Sequence, residues 1–204
     1  MASKKTVAII TGSTRKARLG PFFTAYVRDK IVPQCPTLSF EIVDLADRGL
    51  PILDETNPAA SQPVDDPTSH YEHEHTRKWS ALVRKYDAFI FVTAEYNRSV
   101  PGALKNALDF LFHEWNGKPA GIVSYGGREG DGASAHLRAV LAALKLVVLP
   151  TSPGLRTSRK MLPYVQEHKS VSDEDRQRWE ESGGEAKILK LAQELVAELE
   201  KEKA

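Results

Sequence analysis

A run of glycine, hydroxyl and basic residues follows the first apolar segment, at the point where a strand is expected to end. It reads Thr11-Gly12-Ser13-Thr14-Arg15-Lys16-Ala17-Arg18-Leu19-Gly20, and a stretch of helical period comes directly after it. Backbone N–H groups at a helix start, together with hydroxyls and guanidinium groups, favour a phosphate. Neither the Walker A pattern nor G-x-G-x-x-G is present. The residue types therefore indicate a terminal monophosphate; the alternative is a solvated turn whose arginines bind nothing.

Two further segments of unusual composition also follow apolar runs. Residues 93–102 (TAEYNRSVPG) lead into a Pro-Gly helix start, which suits a rigid turn that presents backbone N–H groups and an aromatic ring to a planar ligand. Residues 126–132 (GGREGDG) contain four glycines, which permit a close approach of the backbone to a ligand. The alternatives are an ordinarily capped turn for the first segment and a flexible surface loop for the second.

The elements that would position these segments alternate along the first 150 residues. Apolar, largely β-branched runs predict strands at residues 6–11, 38–43, 88–92, 119–125 and 145–149. Stretches of helical period between them predict helices at residues 21–32, 71–86, 101–112 and 133–144. Continuous apolar strands separated by helices indicate a parallel sheet covered on both faces.

We therefore predict a doubly wound α/β fold with helices on both faces of a five-stranded parallel sheet. The strand order 2-1-3-4-5 is taken from the flavodoxin-like fold class, which five strands suit. Ligands of such sheets bind beyond the carboxyl ends of the strands, and all three segments leave such ends.

Length and composition fit a single domain over residues 1–204, with a core at about residues 5–150 and a helical C-terminal extension at 151–204. There are 28 basic and 27 acidic residues, a net charge of +1, which disfavours a dedicated nucleic-acid binder. No apolar run approaches the roughly 20 residues of a membrane helix, and the first residues have no signal-peptide character. Cys35 stands alone, which fits a reducing compartment. We expect a soluble, cytoplasmic protein.

Two regions depart from the alternation. Residues 44–69 hold four prolines among Asp, Asn and Ser, which predicts a long loop. Beyond Pro150 we expect an irregular stretch to about residue 170, then a helix capped by Ser172 and interrupted at Gly183-Gly184. Residues 185–201 resume the helix with an apolar stripe that packs on the sheet or on a second subunit: Ile188, Leu191, Leu195 and Leu199.

Taken together, the three segments resemble the NADPH-dependent FMN reductase family, a branch of the flavodoxin-like fold, over about residues 5–150. The first is similar to the family's G-S-x-R phosphate loop. Residues 95–109 match its E-Y-N-x-x-x-P-G-x-L-K-N-A-x-D signature, and Tyr125-Gly126-Gly127 matches the third loop. His113-Glu114-Trp115 and Gly117-Lys118-Pro119 resemble the fungal quinone-reductase members.

The resemblance implies FMN as cofactor, NADPH or NADH as co-substrate, and a homodimer with FMN near the subunit interface. It assigns the FMN phosphate to Ser13, Arg15 and Arg18, with backbone near Gly20. It assigns the isoalloxazine to the remaining residues: Ala94, Glu95, Tyr96 and Asn97 on one side, and Ser124, Tyr125, Gly126 and Gly127 on the other. Lys16-Ala17 and Ala94 depart from the family pattern, which usually has Pro-Gly and Pro there, and neither change removes a phosphate ligand.

The implied activity is an NAD(P)H-dependent FMN or quinone reductase. Hydride would pass through flavin N5 to a quinone, free flavin, ferric or chromate complex or azo compound by a ping-pong mechanism, and no catalytic side chain is required because the flavin carries the chemistry. Three alternatives stay open: an electron carrier without nicotinamide turnover, a redox-sensing regulatory protein that binds FMN, and a flavin-free relative. The balanced charge and the two arginines of the first segment argue against a flavodoxin-type carrier.

Two weaker constellations are not expected to be sites. His70, His73 and His75 form H-x-x-H-x-H, but on a helix residues 73 and 75 would point about 200° apart, so we expect no metal there. Cys35 lies between two prolines with no second cysteine nearby, which disfavours a catalytic thiol.

Overall fold

A parallel β-sheet forms the centre of the molecule in the computed structural model, which describes residues 4–201. Its strand order is β2-β1-β3-β4-β5, which confirms the predicted flavodoxin-like order. The strands are β1 (Thr6–Thr11), β2 (Ser39–Asp44), β3 (Ala88–Ala94), β4 (Pro119–Gly126) and β5 (Val147–Val148).

The register of the central strands brings the three segments together. Thr11 is paired with Asp44 of β2 on one side and with Val92 of β3 on the other. Thr93 is in turn paired with Ser124 of β4. The chain therefore leaves β1, β3 and β4 at one edge of the sheet, next to the end of β2.

The far edge of the sheet differs from the prediction of five strands. A sixth strand, β6 (Gly154–Arg156), pairs with the second half of β4, while β5 pairs only with its first two residues. Pro150 and Pro153 lie between β5 and β6, and neither has an N–H to donate to a ladder. The edge strand predicted at residues 145–149 is therefore shortened and continued by a separate segment.

Helices cover both faces of the sheet, as predicted. One face carries α2 (Glu74–Arg84), α3 (Gly102–Asp109) and α4 (Asp131–Ala143). The other carries α1 (Gly20–Ile31), α5 (Met161–His168), α6 (Asp173–Glu181) and α7 (Gly184–Lys201). Each face has its own hydrophobic core, with Trp79 and Trp115 buried in one and Trp179 in the other.

The C-terminal helices belong to the core of their face. The apolar stripe of α7 packs on the sheet, and Leu191 lies so close to Gly121 of β4 that a Cβ there would come within 3.1 Å of it. The N-cap prediction at Ser172 is confirmed, since its hydroxyl accepts a hydrogen bond from Asp175 N at 3.1 Å. The irregular stretch expected up to residue 170 is wrong in part, because it contains α5. Its Pro163 stands in the first helical turn, where a missing N–H is tolerated.

The predicted proline-rich loop after β2 contains three one-turn 3-10 helices, at Leu45–Asp47, Ala59–Ser61 and Thr68–His70. The side chain of Asn106 on α3 fastens this loop from two sides: its Nδ2 donates to Pro51 O (2.7 Å) and its Oδ1 accepts from Leu53 N (2.9 Å). Across residues 4–201, no helix has both the length and the apolar character needed to cross a bilayer.

Candidate functional site

Three turns meet at the carboxyl edge of the sheet. We call residues 12–19 the first turn, residues 95–101 the second turn and residues 127–130 the third turn. The first and second turns are joined by a hydrogen bond between Ser13 Oγ and Tyr96 Oη (2.8 Å). The second is joined to the helix that follows the third, because Glu95 Oε2 accepts from Gly132 N (2.8 Å). The predicted convergence of the three segments is therefore present in the fold.

Beyond Gly12, whose N–H donates to Val92 O, the first turn keeps its backbone donors unpaired. Within residues 4–201, no protein group accepts a hydrogen bond from the backbone N–H groups of residues 13–20. Helix α1 begins there with no side-chain cap and with no acidic residue in its first turn. Arg15 and Lys16 are exposed beside it. Free N–H groups at a helix start and nearby cations together make an anion site.

Arg15 and Ser13 both contact Tyr96. The guanidinium carbon of Arg15 lies 4.4 Å from the centre of the Tyr96 ring, within the range of a cation–π interaction. Ser13 is almost fully buried, and its hydroxyl is bonded to Tyr96 on the same side of the turn. Tyr96 thus connects the donor-rich first turn to the second turn.

Arg18 is held differently from Arg15. Its Nη1 and Nη2 donate to the two carboxylate oxygens of Asp44 at 2.7 Å each, and Nη1 also donates to Ser13 O at 2.5 Å. The hydrogen bonds to Asp44 raise the pKa of Arg18 above its ordinary value. Sequence reasoning did not single out Asp44, although its place as the last residue of β2, beside β1, puts it at the same edge.

The second turn is a tight reversal. The backbones of Tyr96 and Ser99 exchange two hydrogen bonds, at 2.8 and 3.0 Å. The two residues between them, Asn97 and Arg98, both have positive φ, of 51° and 67°. That pair of angles is typical of a type I′ turn and is readily adopted by asparagine. Ala94, before the turn, is buried at the end of β3, whereas Asn97 is exposed.

The side chain of Glu95 is hydrogen-bonded to the start of α4. Its carboxylate accepts from the N–H groups of Gly132 (2.8 Å) and Ala133 (3.3 Å), at the start of α4. Beside it, Arg98 donates to Asp131 at 2.7 Å. An acidic side chain at this position caps the helix and complements its dipole. The Glu95 carboxylate therefore ties the second turn to α4.

The third turn is closed by its own hydrogen bonds. Gly126 O accepts from Glu129 N (3.1 Å) and from Thr157 N (2.9 Å), and Ser124 Oγ donates to Glu129 O (2.9 Å). Gly127 is exposed, and a Cβ there would meet nothing within 4 Å. Gly127 therefore leaves the surface open to an approaching ligand.

Tyr125 faces the core with its ring and the site with its hydroxyl. The ring stacks on Phe23 of α1 with centroids 4.1 Å apart, and burial raises the pKa of the phenol. The hydroxyl is buried and forms no hydrogen bond of normal geometry with residues 4–201, although Ser13 is close to it. It lies beside Gly20, where a Cβ would come within 3.2 Å of it. A buried hydroxyl without a partner costs free energy, so this one is a candidate ligand contact next to the helix start.

The histidine cluster corrects one expectation. Helix α2 begins at Glu74, and His73 precedes it in an extended conformation, so the imidazoles of His73 and His75 do not point apart. They stack with centroids 5.2 Å apart, and His75 Nε2 lies 2.9 Å from Asp54 Oδ1. In the part of the chain that the structure describes, no three or more histidine, cysteine or acidic side chains are arranged to hold a metal ion.

Cys35 lies far from the three turns, buried between α1 and α7. Its Sγ is 3.8 Å from Ala192 O, and burial raises the pKa of the thiol. A protonated, enclosed thiol is a poor nucleophile.

Comparisons with known proteins agree with the geometry. A family model described as NADPH-dependent FMN reductase matches residues 5–159. An NAD(P)H-dependent FMN reductase of a Nectria species is 35% identical over 193 residues, which cover 93% of this chain and 94% of that protein. One from Saccharomyces cerevisiae is 41% identical over 152 residues (70% and 76%), and a quinone reductase of Pseudomonas putida is 33% identical over 153 residues (72% and 74%).

Solved structures share the fold at lower sequence identity. A flavoenzyme NAD(P)H:(acceptor) oxidoreductase from Paracoccus denitrificans superposes with a TM-score of 0.67 and 23% identity, over 97% of this chain and 98% of that chain. A flavodoxin of Fusobacterium nucleatum bound to flavin mononucleotide superposes with a TM-score of 0.51 and 14% identity, over 95% and 98%. These likenesses concern the architecture of the sheet and helices.

Proposed function

This chain belongs to the NADPH-dependent FMN reductase family and is an oxidoreductase that uses FMN and NAD(P)H, and from that premise we propose that its three turns hold the FMN and that it reduces quinones. NAD(P)H and the acceptor would use the same face of the site in turn, which is ping-pong kinetics. Free flavin, ferric or chromate complexes and azo compounds are further candidate acceptors, and they differ in the number of electrons that each takes from the reduced flavin. When bound, FMN supplies the hydride chemistry at its N5 atom.

The observation that carries the proposal is the first turn. Its unpaired N–H groups at the start of α1, with exposed Arg15 and Lys16, suit the terminal phosphate of FMN. The orphaned Tyr125 hydroxyl beside Gly20 is a further polar group to be satisfied there. The donor set fits a singly phosphorylated ligand.

The second and third turns fit the ring system. Tyr96, Asn97 and exposed Gly127 would lie along the isoalloxazine, with backbone rather than acidic or basic side chains as the main contacts. Glu95, Ser124 and Gly126 would act by fixing this backbone, because their polar groups are bonded to neighbouring turns and strands. Ala94 and Tyr125 complete the proposed lining at the strand ends.

The quinone preference rests on the relatives. The Pseudomonas putida protein is a quinone reductase, and a relative from a Burkholderia species, 32% identical over 151 residues, is a 2-hydroxy-1,4-benzoquinone reductase. Both alignments cover about seven-tenths of this chain. Quinones are flat, apolar two-electron acceptors, which suits stacking on a flavin.

A homodimer with FMN near its interface and a cytoplasmic location are also part of the proposal. Asn106 holds the proline-rich loop against α3, the helix that follows the second turn. This loop presents Ile52 with 89% of its surface exposed, next to exposed Leu53. An apolar pair held in place at the protein surface is suited to a subunit contact. Light scattering coupled to size exclusion tests the dimer, and cell fractionation tests the location.

The deciding experiment is an anaerobic titration of the FMN-loaded protein with NADPH and with NADH. Bleaching of the flavin absorption, followed by its return when a benzoquinone is added, is the expected result. A flavin that stays oxidised would sink the reductase proposal. Initial rates at several quinone concentrations should give parallel double-reciprocal lines, and intersecting lines would reject the ping-pong order.

A further inference from the structure

We infer that Arg18 is a positioning residue of the phosphate turn, locked in place by Asp44, and is not itself a ligand of the phosphate. The inference rests on the proposed function, because it concerns how the first turn is prepared for FMN. It separates the two arginines that the sequence pattern places together, and it gives Asp44 a role in cofactor binding.

The Arg18 guanidinium is committed to protein acceptors. Three hydrogen bonds, two to Asp44 and one to Ser13 O, use the fork that faces them at 2.5–2.7 Å. The pair is largely shielded, with side-chain exposures of 15% for Arg18 and 17% for Asp44. A bidentate guanidinium–carboxylate pair is geometrically specific, so leaving it for another anion has a substantial cost.

Asp44 is itself fixed by the sheet. It is the last residue of β2, paired with Thr11 of β1, and its Oδ1 also accepts from Ala46 N at 3.0 Å. The carboxylate is thereby anchored at the base of the first turn rather than carried on a mobile side chain. Asp44 can hold Arg18 in one orientation.

The bond from Arg18 to Ser13 O sets the direction of a backbone donor. A trans peptide is planar, and its C=O and N–H point in opposite directions. With Ser13 O turned towards Arg18, the N–H of Thr14 points away from Arg18. If this peptide were free to rotate, its carbonyl oxygen could face the phosphate and repel it. By holding Ser13 O, Arg18 keeps this carbonyl oxygen away from the phosphate.

The charges around the first turn support the same distinction between Arg18 and Arg15. Arg18 and Asp44 together are neutral, so they add little attraction for an anion. Arg15 and Lys16 are exposed and form no ion pair with any residue of the described chain. The positive charge available to the phosphate therefore comes from residues 15 and 16.

The Asp44→Asn variant distinguishes a positioning role of Arg18 from a role as phosphate ligand, because the two roles predict opposite changes in FMN affinity. If Arg18 positions the turn, losing its anchor weakens FMN binding by about two- to tenfold. If Arg18 is a phosphate ligand restrained by Asp44, the same change frees a cation and tightens FMN binding. The control is Asp47→Asn, which removes an equal charge near Arg18 from an exposed residue without a hydrogen bond to it. It should leave FMN affinity unchanged or slightly tighter.

The measurement is FMN affinity from quenching of flavin fluorescence, with riboflavin, which lacks the phosphate, as the second ligand. We expect Asp44→Asn to weaken FMN and leave riboflavin affinity unchanged, since only the phosphate turn is disturbed. Tighter or unchanged FMN binding overturns the inference, and equal weakening of riboflavin overturns it too. Failure of the unaltered protein to bind FMN refutes the proposed function instead.

Arg18→Lys is the second variant, for use if Asp44→Asn does not fold. Lysine binds phosphate as a point charge, but it cannot reproduce the fork that spans Asp44 and Ser13 O. A positioning role predicts that Arg18→Lys weakens FMN binding as much as Arg18→Ala does. A direct ligand predicts that lysine largely preserves the affinity, and that result would overturn the inference.

Discussion

The first turn and the pair formed by the second and third turns lie side by side at one edge of the sheet but are built in opposite ways. In the first turn, the backbone donors of residues 13–20 have no protein acceptor within residues 4–201, and Arg15 is exposed. In the other two, Glu95, Arg98 and Gly126 connect strand ends, turns and the start of α4 to each other. In one region the backbone donors have no protein partner, and in the other the polar groups are bonded to the protein.

Because of this difference, substitutions in the two regions should affect different properties: cofactor affinity in one and the free energy of unfolding in the other. Unpaired donors and cations gain a partner only when an anion binds, so substitutions in the first turn should change cofactor affinity more than folding. Interlocked turns contribute to folding whether or not a ligand is present, so substitutions there should change the free energy of unfolding first. The substitutions below test that division, beginning with the largest expected effect.

Gly130→Ala should cause the largest loss of stability. Gly130 has a φ of 73°, and a Cβ there would come within 2.8 Å of Ser124 Cβ and Tyr125 N. A left-handed alanine and the overlap with backbone together cost about 3 kcal/mol, or about 6–12 °C in Tm for a chain of this length. Thermal unfolding followed by circular dichroism measures it.

Gly127→Ala is the matched control in the same turn. A Cβ at Gly127 meets nothing within 4 Å, so its Tm should stay close to that of the unaltered protein. Equal Tm values for the two variants would show that the third turn is not closed in the way described.

Arg15→Ala should cause the largest loss of FMN affinity. The lost charge-assisted hydrogen bond to the proposed phosphate is worth about 1.5–3 kcal/mol, which corresponds to roughly 10- to 100-fold weaker binding. Titration of the protein with FMN and with riboflavin measures the effect, and riboflavin should be affected far less. Arg128→Ala removes an exposed arginine of the third turn and should leave FMN affinity nearly unchanged. If the two variants lose equal affinity, the first turn is not the phosphate site.

Much of this architecture follows from sequence patterns. The buried, β-branched runs of β1, β3 and β4 predict a parallel sheet. Because the carboxyl ends of parallel strands lie at the same edge, the three segments that follow these strands are predicted to meet there. The edge strand is harder to predict, since Pro150 and Pro153 break a run of otherwise strand-like residues into β5 and β6. Helix α5 is hard to predict because Pro163 indicates a helix break, whereas a proline in the first turn of a helix is tolerated.

The partners of the site residues could not be predicted in the same way. Arg18 and Asp44 are 26 positions apart, and Glu95 is 37 from Gly132. Only the strand register brings them within hydrogen-bond distance. Sequence reasoning therefore identified residues of the right chemical type, but it did not supply the protein partners of Arg18 and Glu95. His73 shows the same limit locally, because a shift of the helix start by a few residues reverses the direction of its side chain.

Glu95→Ala should destabilise the fold by about 1 kcal/mol, the usual cost of losing a helix cap. The N–H groups of Gly132 and Ala133 would lose their shared acceptor, whereas Glu95→Gln keeps a side-chain oxygen in place and should recover most of the loss. Urea unfolding of both variants measures the difference. FMN affinity should fall less than in Arg15→Ala, and a larger fall would contradict the division between the two regions.

Asp131→Asn should have the smallest effect, visible as a change in the pH dependence of stability. The hydrogen bond from Arg98 holds the pKa of Asp131 below its usual value. The unfolded carboxyl titrates near pH 3.9. A lowered folded pKa contributes stability that is fully present above the unfolded pKa and is lost as the pH falls through the folded pKa. The unaltered protein should therefore exceed Asp131→Asn in urea midpoint by a constant margin above about pH 5, and the margin should shrink towards pH 3.

Asp173→Asn is the control for that margin, because Asp173 occupies the same first position of α6 that Asp131 occupies in α4. Both residues lie in the first turn of a helix, but Asp173 lies 4.0 Å from Arg176 Nε, whereas Asp131 accepts from Arg98 at 2.7 Å. The helix dipole acts on both, so only the Asp131 variant should show the additional acid-sensitive margin that its contact with the second turn supplies. If the two variants give the same pH profile, the Arg98–Asp131 contact adds nothing to the link between the turns, and the second turn is held to α4 by the hydrogen bonds of Glu95 and by the one between Ser99 and His136.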